Sequence, residues 1–279
     1  MNGGHHADPG FEARRFDSTK AHPSRRYDYW LGGKDNFEAD RTSGDDIAQA
    51  FPTIRIAAIE NRRFLHRVVS FLAGQAGIRQ FLDIGTGIPT SPNVHEIAQV
   101  IAPASRVAYV DNDPLVIAHA RARLVGSPEG RTAYVRADLR DPATIGTHAT
   151  LRDVFDWDQP IALLLIAVLH FLDDADDPHG AVSQLVSALP AGSYLALSHA
   201  TFDLLPAATI TGLTSLISPG AGHGAFRARN RRDVASFLDG LELISPGLAP
   251  IVDWQPEREP RPSATAAQTA VYGAVARLP

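Results

Sequence analysis

The sequence predicts an α/β protein built on one doubly wound, mostly parallel sheet. Three observations predict it. Phe81-Leu82-Asp83-Ile84-Gly85-Thr86-Gly87 reads as a buried strand running into a glycine turn. Val107-Ala108-Tyr109-Val110-Asp111 reads as a second buried strand that ends on a carboxylate. Strand patterns and helix patterns then alternate along the chain, the order that builds βαβ units. Such folds hold nucleotide-like ligands at the carboxyl ends of their strands, with an acid at a strand tip holding the ribose.

Each element has a local signal. Residues 1–20 are polar, rich in Gly, His and Asp, and read as a flexible lead-in; His5-His6 is too short to be a metal site. From Asp45 to Gly74, Ile47, Phe51, Ile54, Ile56, Ile59, Phe64, Leu65, Val68 and Leu72 recur at near-helical spacing, interrupted by Pro52. Strand one is Gln80 to Ile84. The next helix is capped by Asn93 with Glu96 three positions on, a variant of the capping box, and Val94, Ile97, Ala98 and Ile101 give it an apolar face. Strand two is Arg106 to Val110. Asp113-Pro114 has the form of an N-cap and first helical residue, for a helix reaching Leu124.

Strand three is Thr132 to Arg136, ending at Ala137-Asp138. A helical turn at Pro142 to Ile145 and a loop lead to strand four, Ile161 to Val168. That run is apolar throughout, as a strand covered on both faces should be. A helix at Pro178 to Leu189, strand five at Ser193 to Ser198, and an inserted helical segment at Phe202 to Ile217 follow. Residues 219–224 form a glycine-rich loop. Arg231 to Leu238 is a helix stopped by Gly240. Leu241 to Ile244 begins strand six, residues 255–264 are a Pro-rich connection, and Thr269 to Leu278 is the last strand.

Composition narrows the function. The chain has 279 residues, 44% of them hydrophobic, enough for one core with decoration. A net charge of -5 argues against a general nucleic-acid binder, which needs a basic face. Cysteine is absent, so there is neither a disulfide framework nor a thiolate metal site. No signal-peptide pattern or bilayer-length apolar run is present. The expectation is a soluble cytoplasmic protein that partners neither nucleic acid nor membrane, of unassigned oligomeric state.

The glycine spacing separates two ligand classes. A dinucleotide site wants a third glycine, but Pro89 and Thr90 stand where that spacing would be completed. Asp83, just before the turn, would repel a pyrophosphate and attract an ammonium or sulfonium group. This disfavours a nicotinamide-dependent oxidoreductase. D-x-G-x-G with Asp111 beyond it resembles the class I S-adenosylmethionine (SAM) methyltransferases. The bland alternative is a tight turn at Gly85 and Gly87, with Asp111 as a helix cap.

A longer resemblance is carried by Arg26-Tyr27-Asp28-Tyr29-Trp30-Leu31-Gly32-Gly33-Lys34-Asp35-Asn36-Phe37. It continues through Tyr109-Val110-Asp111-Asn112-Asp113-Pro114, Ala137-Asp138-Leu139-Arg140-Asp141-Pro142, Leu169-His170-Phe171-Leu172 and Ser198-His199. In these strings the chain resembles a bacterial S-adenosyl methyltransferase family, formerly catalogued as a domain of unknown function. The resemblance implies a seven-stranded Rossmann-like sheet with an antiparallel last strand. It also implies an N-terminal helical lid (residues 21–75) on a core (76–279) with a helical insertion at 202–226.

The implied cofactor is SAM. Asp83 faces its amino group, Gly85 and Gly87 allow close backbone approach, and Asp111 holds the ribose hydroxyls. Asn112, Asp138 and the Leu139 amide lie on the adenine side. Tyr29 and Gly32 belong to the lid, where an aromatic such as Tyr27, Tyr29 or Trp30 stacks on the cofactor or anchors the lid. Asn36 and Arg62 or Arg63 are candidates for the methionine carboxylate. His170 and His199, just past strands four and five, are the candidate catalytic bases, against a loop-shaping role for each. A metal site joining them to Asp173, Asp174 and Asp176 is less expected than a solvated acidic turn, so no metal is assigned. The expected activity is methyl transfer to a small molecule. The alternatives are a SAM-binding sensor or scaffold without turnover and a protein or RNA methyltransferase.

Overall fold

The computed structural model describes residues 17–123, 126–218, 221–255 and 264–279. The lead-in through residue 16, Pro219-Gly220, Leu124 and most of the Pro-rich connection lie outside them. Five parallel strands form the centre: β1 (Gln80–Ile84), β2 (Arg106–Asp111), β3 (Arg131–Arg136), β4 (Ala162–Ile166) and β5 (Tyr194–Ala200). The long last strand β8 (Val271–Arg277) lies antiparallel to β5. Two short pieces, β6 (Glu242–Leu243) and β7 (Ala249–Pro250), pair with the far edge of β8. The order is β3-β2-β1-β4-β5-β8-β6, so the seventh position is one edge strand broken in two.

Alternation along the strands builds two cores. In β4, Leu163 and Leu165 face one layer and Ala162 and Leu164 the other. The first layer is closed by α6 (Pro142–Thr147), α7 (Ala149–Val154) and α8 (Pro178–Ser187), through Ile145, Leu151, Val154, Val182 and Leu185. The second is closed by α3 (Ile54–Gly74) and α4 (Val94–Ile101), through Phe64, Val68, Leu72, Val94 and Ile97. The Asn93–Glu96 capping box forms as the sequence suggested. After β2, α5 (Pro114–Arg123) starts at the Asp113-Pro114 signal.

Several boundaries differ from expectation. The helical run at 45–74 is two helices, α2 (Glu38–Ala50) and α3, parted at residues 51–53 where Pro52 interrupts the ladder. Strand four stops at Ile166, because Ala167 takes a left-handed φ of 54° and turns the chain into a short 3-10 turn at Leu169–Phe171. His199 lies within β5 rather than beyond it. The inserted helix is shorter, α9 (Ala207–Leu216), and α10 (Arg231–Ala235) passes into a 3-10 turn at Ser236–Leu238. Thr269 ends a short helix, α11 (Ala266–Thr269), so the last strand begins at Val271. α7 replaces an expected loop.

The largest surprise is α1 (Pro23–Trp30), inside the aromatic signature. Pro23 sits at its first position and the His22 side chain accepts from Ser24 N–H. Its buried residues are Arg25, Arg26 and Asp28, so no apolar periodicity announces it. No helix among the described residues is long and apolar enough to cross a membrane.

Candidate functional site

A cavity of about 340 Å³ opens at the carboxyl ends of β1, β2 and β4, within the range of small-molecule sites. Asp83, Gly85, Gly87, Asp111, Asn112, Asp138 and Leu139 all line it. Both glycines hold left-handed φ values, 73° and 68°. Gly85 N–H donates to the Val110 carbonyl at 2.8 Å, which tucks the turn against β2.

The carboxylates are posted by backbone. Asp111 Oδ2 accepts from Gly87 N–H and its Oδ1 from Asp113 N–H, each at 2.9 Å. One side chain thus ties the glycine turn to the start of α5. The helix-cap alternative is therefore half right: Asp111 organises backbone and also lines the cavity. Asp83 accepts from Thr86 Oγ1 at 2.8 Å. Burial pushes both acids up to about 6. Asp138 differs. Burial works to raise it, but hydrogen bonds from Asn112 Nδ2 and Arg140 N–H, with the Arg140 charge, hold it below the ordinary range.

The N-terminal helices cover this cavity. His22, Ser24 and Tyr27 of the α1 region line it, as do Asn61 and Arg62 of α3. Arg25 Nε stands 3.1 Å from Asp40 Oδ2, and His22 Nδ1 stands 3.3 Å from Asp113 Oδ2, joining α1 to α2 and to the β2–α5 turn. Arg62 donates to the carbonyls of Thr90 and Pro92. Arg63 instead pairs with Glu60 at 2.8 Å and lies outside the lining.

Tyr29 and Gly32 do not reach the cavity. The Tyr29 hydroxyl donates to Asp45 at 2.8 Å and its ring carries the Arg55 guanidinium at 4.8 Å, so this aromatic anchors α1 to α2 and α3. Gly32 takes a left-handed φ of 82° at the end of α1. Asn36 is committed to Asp28, whose Oδ2 also accepts from Asp35 N–H. The signature thus mostly packs the N-terminal helices against one another. Its reach into the cavity comes from Tyr27 and Leu31, and His22 and Ser24, which precede it and were not singled out, line the cavity too.

A second chamber of about 130 Å³ adjoins the first and is almost entirely apolar. α1, α2, α3, α9 and the turn after β4 enclose it, with Ile47, Phe51, Phe202 and Leu213 among its walls. Pro23, Tyr27, Asn61, Ala167 and Phe171 line both spaces, so they mark the junction. There Asn61 Nδ2 donates to the Tyr27 hydroxyl at 3.0 Å, and that hydroxyl donates to the Ala58 carbonyl at 2.9 Å. Ser198 Oγ donates to Asn61 Oδ1 at 2.6 Å. This relay was invisible in sequence, because its members lie far apart along the chain.

Neither candidate histidine is free to take a proton. His170 lines the apolar chamber, but its Nδ1 accepts from Ala200 N–H at 3.3 Å, which places the proton of the neutral ring on Nε2. Burial holds its pKa well below the ordinary value, so the ring is neutral. His199 is fully buried and lines neither space. Its Nδ1 meets the Ala200 carbonyl at 2.8 Å and its Nε2 meets Arg229 at 3.2 Å. The expectation of a base at His199 is corrected: the ring is spent on fixing the β5 end. Asp174 pairs with Arg227 and Arg229, and Asp176 with Arg140, so the acidic turn is a salt-bridged one. No three His, Cys, Asp or Glu side chains gather as a metal site among the described residues.

Comparisons with known proteins identify the family of the chain. A family model described as S-adenosyl methyltransferase matches residues 9–279. The crystal structure of a DUF574-family protein from Streptomyces avermitilis MA-4680 is 45% identical, covers 94% of this chain and 99% of its own, and superposes with a TM-score of 0.89. A protein from Thermobifida fusca YX, provisionally named a methyltransferase, is 36% identical over 96% of this chain and 99% of its own, with a TM-score of 0.86. A SAM-dependent methyltransferase from Anabaena variabilis ATCC 29413 shares the fold alone, at 14% identity over 76% of this chain and 84% of its own, with a TM-score of 0.51. No curated protein matches in sequence.

Proposed function

Because the chain belongs to the S-adenosyl methyltransferase family and is a SAM-dependent methyltransferase, we propose that its acceptor is a small molecule held in the apolar chamber. One observation carries this reading: the chamber is walled by the N-terminal helices and the insertion, and shares Pro23, Tyr27, Asn61, Ala167 and Phe171 with the strand-end cavity. A space of that size suits a small acceptor and not a polymer. SAM supplies an electrophilic methyl group on a sulfonium. The acceptor atom would donate a lone pair to the methyl carbon as the carbon–sulfur bond broke, with that bond's electron pair staying on sulfur and any proton on the acceptor passing to solvent.

The chain's residues then have assignable roles. Asp111 takes the ribose hydroxyls and Asp83 the ammonium end. Asp138, Asn112 and the Leu139 amide take the adenine. Tyr27 and Asn61 hold the acceptor in line at the junction, which is the main task in a displacement at carbon. His170 donates from Nε2 toward the acceptor and takes no proton.

The two raised carboxylates give a pH dependence with a definite sign. Below about 6 they are neutral and lose their attraction for a cationic ligand. SAM affinity is expected to fall as pH drops through 6, by up to about tenfold per pH unit for each acid. Stability without ligand runs the other way. The folded values lie above the ordinary value of 3.8, so the folded state binds more protons between the two, and this stability is lost as pH rises from about 4 to about 6. Calorimetric titration with SAM between about pH 5 and pH 8 checks the first point. A flat affinity would remove Asp83 and Asp111 from the ligand.

The acceptor reading is tested by filling the chamber. Leu213→Trp and, separately, Ile47→Trp should leave SAM affinity unchanged while abolishing S-adenosylhomocysteine release in a small-molecule acceptor screen. Undiminished turnover in both variants would place the acceptor elsewhere.

A further inference from the structure

Two arginines of α1, Arg25 and Arg26, are each 3% exposed. One buried carboxylate, Asp40, stands near both, and it is already committed. It accepts from Arg25 Nε and from the backbone N–H groups of His22 at 2.8 Å and Phe37 at 2.9 Å. Arg26 pairs with no acid among the described residues. Its Nη1 donates to the His223 carbonyl at 2.8 Å and to the Ser43 hydroxyl at 3.3 Å, and its Nε is buried without a partner. Burial draws its pKa down to about 10, so it is still a cation at neutral pH.

Arg26 is among the residues that line the apolar chamber, as are Trp30, Phe51 and Phe226. A buried cation paired with no acid is costly unless an opposite charge arrives. A guanidinium with an unused edge matches the two oxygens of a carboxylate, as a lysine does not.

We infer that the methyl acceptor is a ring-sized apolar molecule bearing one anionic oxygen group, carboxylate-like, that pairs with Arg26. The inference rests on the chamber being the acceptor site. The anion anchors the acceptor at one wall, and the neighbouring Tyr27, with Asn61, meets its other end at the junction with the cofactor cavity. The signature thereby has a second use: Arg26 selects the charge and Tyr27 borders the reacting end.

Hydroxybenzoate and hydroxynaphthoate, each beside its neutral amide, are the probes, titrated into protein saturated with S-adenosylhomocysteine. The acids should bind at least about tenfold more tightly than the amides, the scale of one charge-assisted pair. Arg26→Met should erase that preference without changing S-adenosylhomocysteine affinity, which also reports that the variant is folded. Arg26→Gln, which can still donate to the His223 carbonyl, should erase it too. Arg26→Lys should recover it only in part. Leu213→Trp should weaken acids and amides alike. Equal binding of acids and amides, a preference that survives both neutral variants, or no binding of either class overturns the inference. Loss in Leu213→Trp without any effect at Arg26 overturns it while sparing the chamber. Indifference to Leu213→Trp removes the chamber reading, and the inference with it.

Discussion

Asp111→Ala is expected to weaken SAM binding by about two orders of magnitude or more. The carboxylate bonds Gly87 N–H and Asp113 N–H at 2.9 Å each, and retains lone pairs toward the cavity. Hydrogen bonds to a charged group contribute about 1.5–3 kcal/mol each, and about 1.4 kcal/mol is a tenfold change. Losing two hydroxyl contacts and the anchoring of the turn therefore reaches a hundredfold. Asp111→Asn separates the two effects, because its amide oxygen can still accept from one backbone N–H. Calorimetry with SAM and S-adenosylhomocysteine, with thermal melts for integrity, makes the measurement. Unaltered affinity in folded Asp111→Ala would refute the ribose assignment and leave Asp111 a structural cap.

Gly85→Ala is expected to destabilise the fold by about 2–5 kcal/mol. A side chain at φ 73° costs about 1–2 kcal/mol, and overpacking adds about 1–3 kcal/mol. The overpacking is specific: a Cβ on Gly85 would lie 2.7 Å from Val168 Cβ, and Val168 belongs to the turn that closes the cavity after β4. That turn is held between β5 and the Arg229 side chain, which donates to the Leu169 and Leu172 carbonyls, so it cannot retreat freely. Gly87→Ala is the control. Its φ is similar, but the nearest atom to its Cβ is Ser24 Cβ at 3.9 Å, an ordinary contact. Only the backbone term, about 1–2 kcal/mol, applies there. Denaturant unfolding of the two variants decides it. Equal losses would mean that Val168 yields and the close packing is incidental.

The sequence alone determined the sheet and the cofactor edge. β1 and its glycine turn, the Asp111 tip, the Asn93–Glu96 cap and the Asp113-Pro114 helix start are local signals. They depend on residues within a few positions of each other, and the fold contains each of them. Asp83, Gly85, Gly87, Asp111, Asn112, Asp138 and Leu139 come together because parallel strands deliver their carboxyl ends to one edge. α1 was not legible as a helix, since it buries Arg25, Arg26 and Asp28 and so lacks the apolar stripe from which helices are read.

What only the tertiary structure decided was the second chamber and the state of each polar side chain around it. Tyr27, Asn61, Ser198 and His223 are scattered over the chain and meet only when α1–α3 and the insertion fold over the strand ends. Position past a strand suggested His170 and His199 as bases. Their hydrogen bonds, to the Ala200 N–H and to the Ala200 carbonyl and Arg229, remove the lone pair each would need. Conversely, nothing in the string Arg25-Arg26 tells the two apart. One pairs with Asp40, and the other donates to the His223 carbonyl and the Ser43 hydroxyl at the wall of the apolar chamber, because successive residues of a helix point about 100° apart. Charge is written in the sequence, but whether it is answered depends on what the fold brings alongside it.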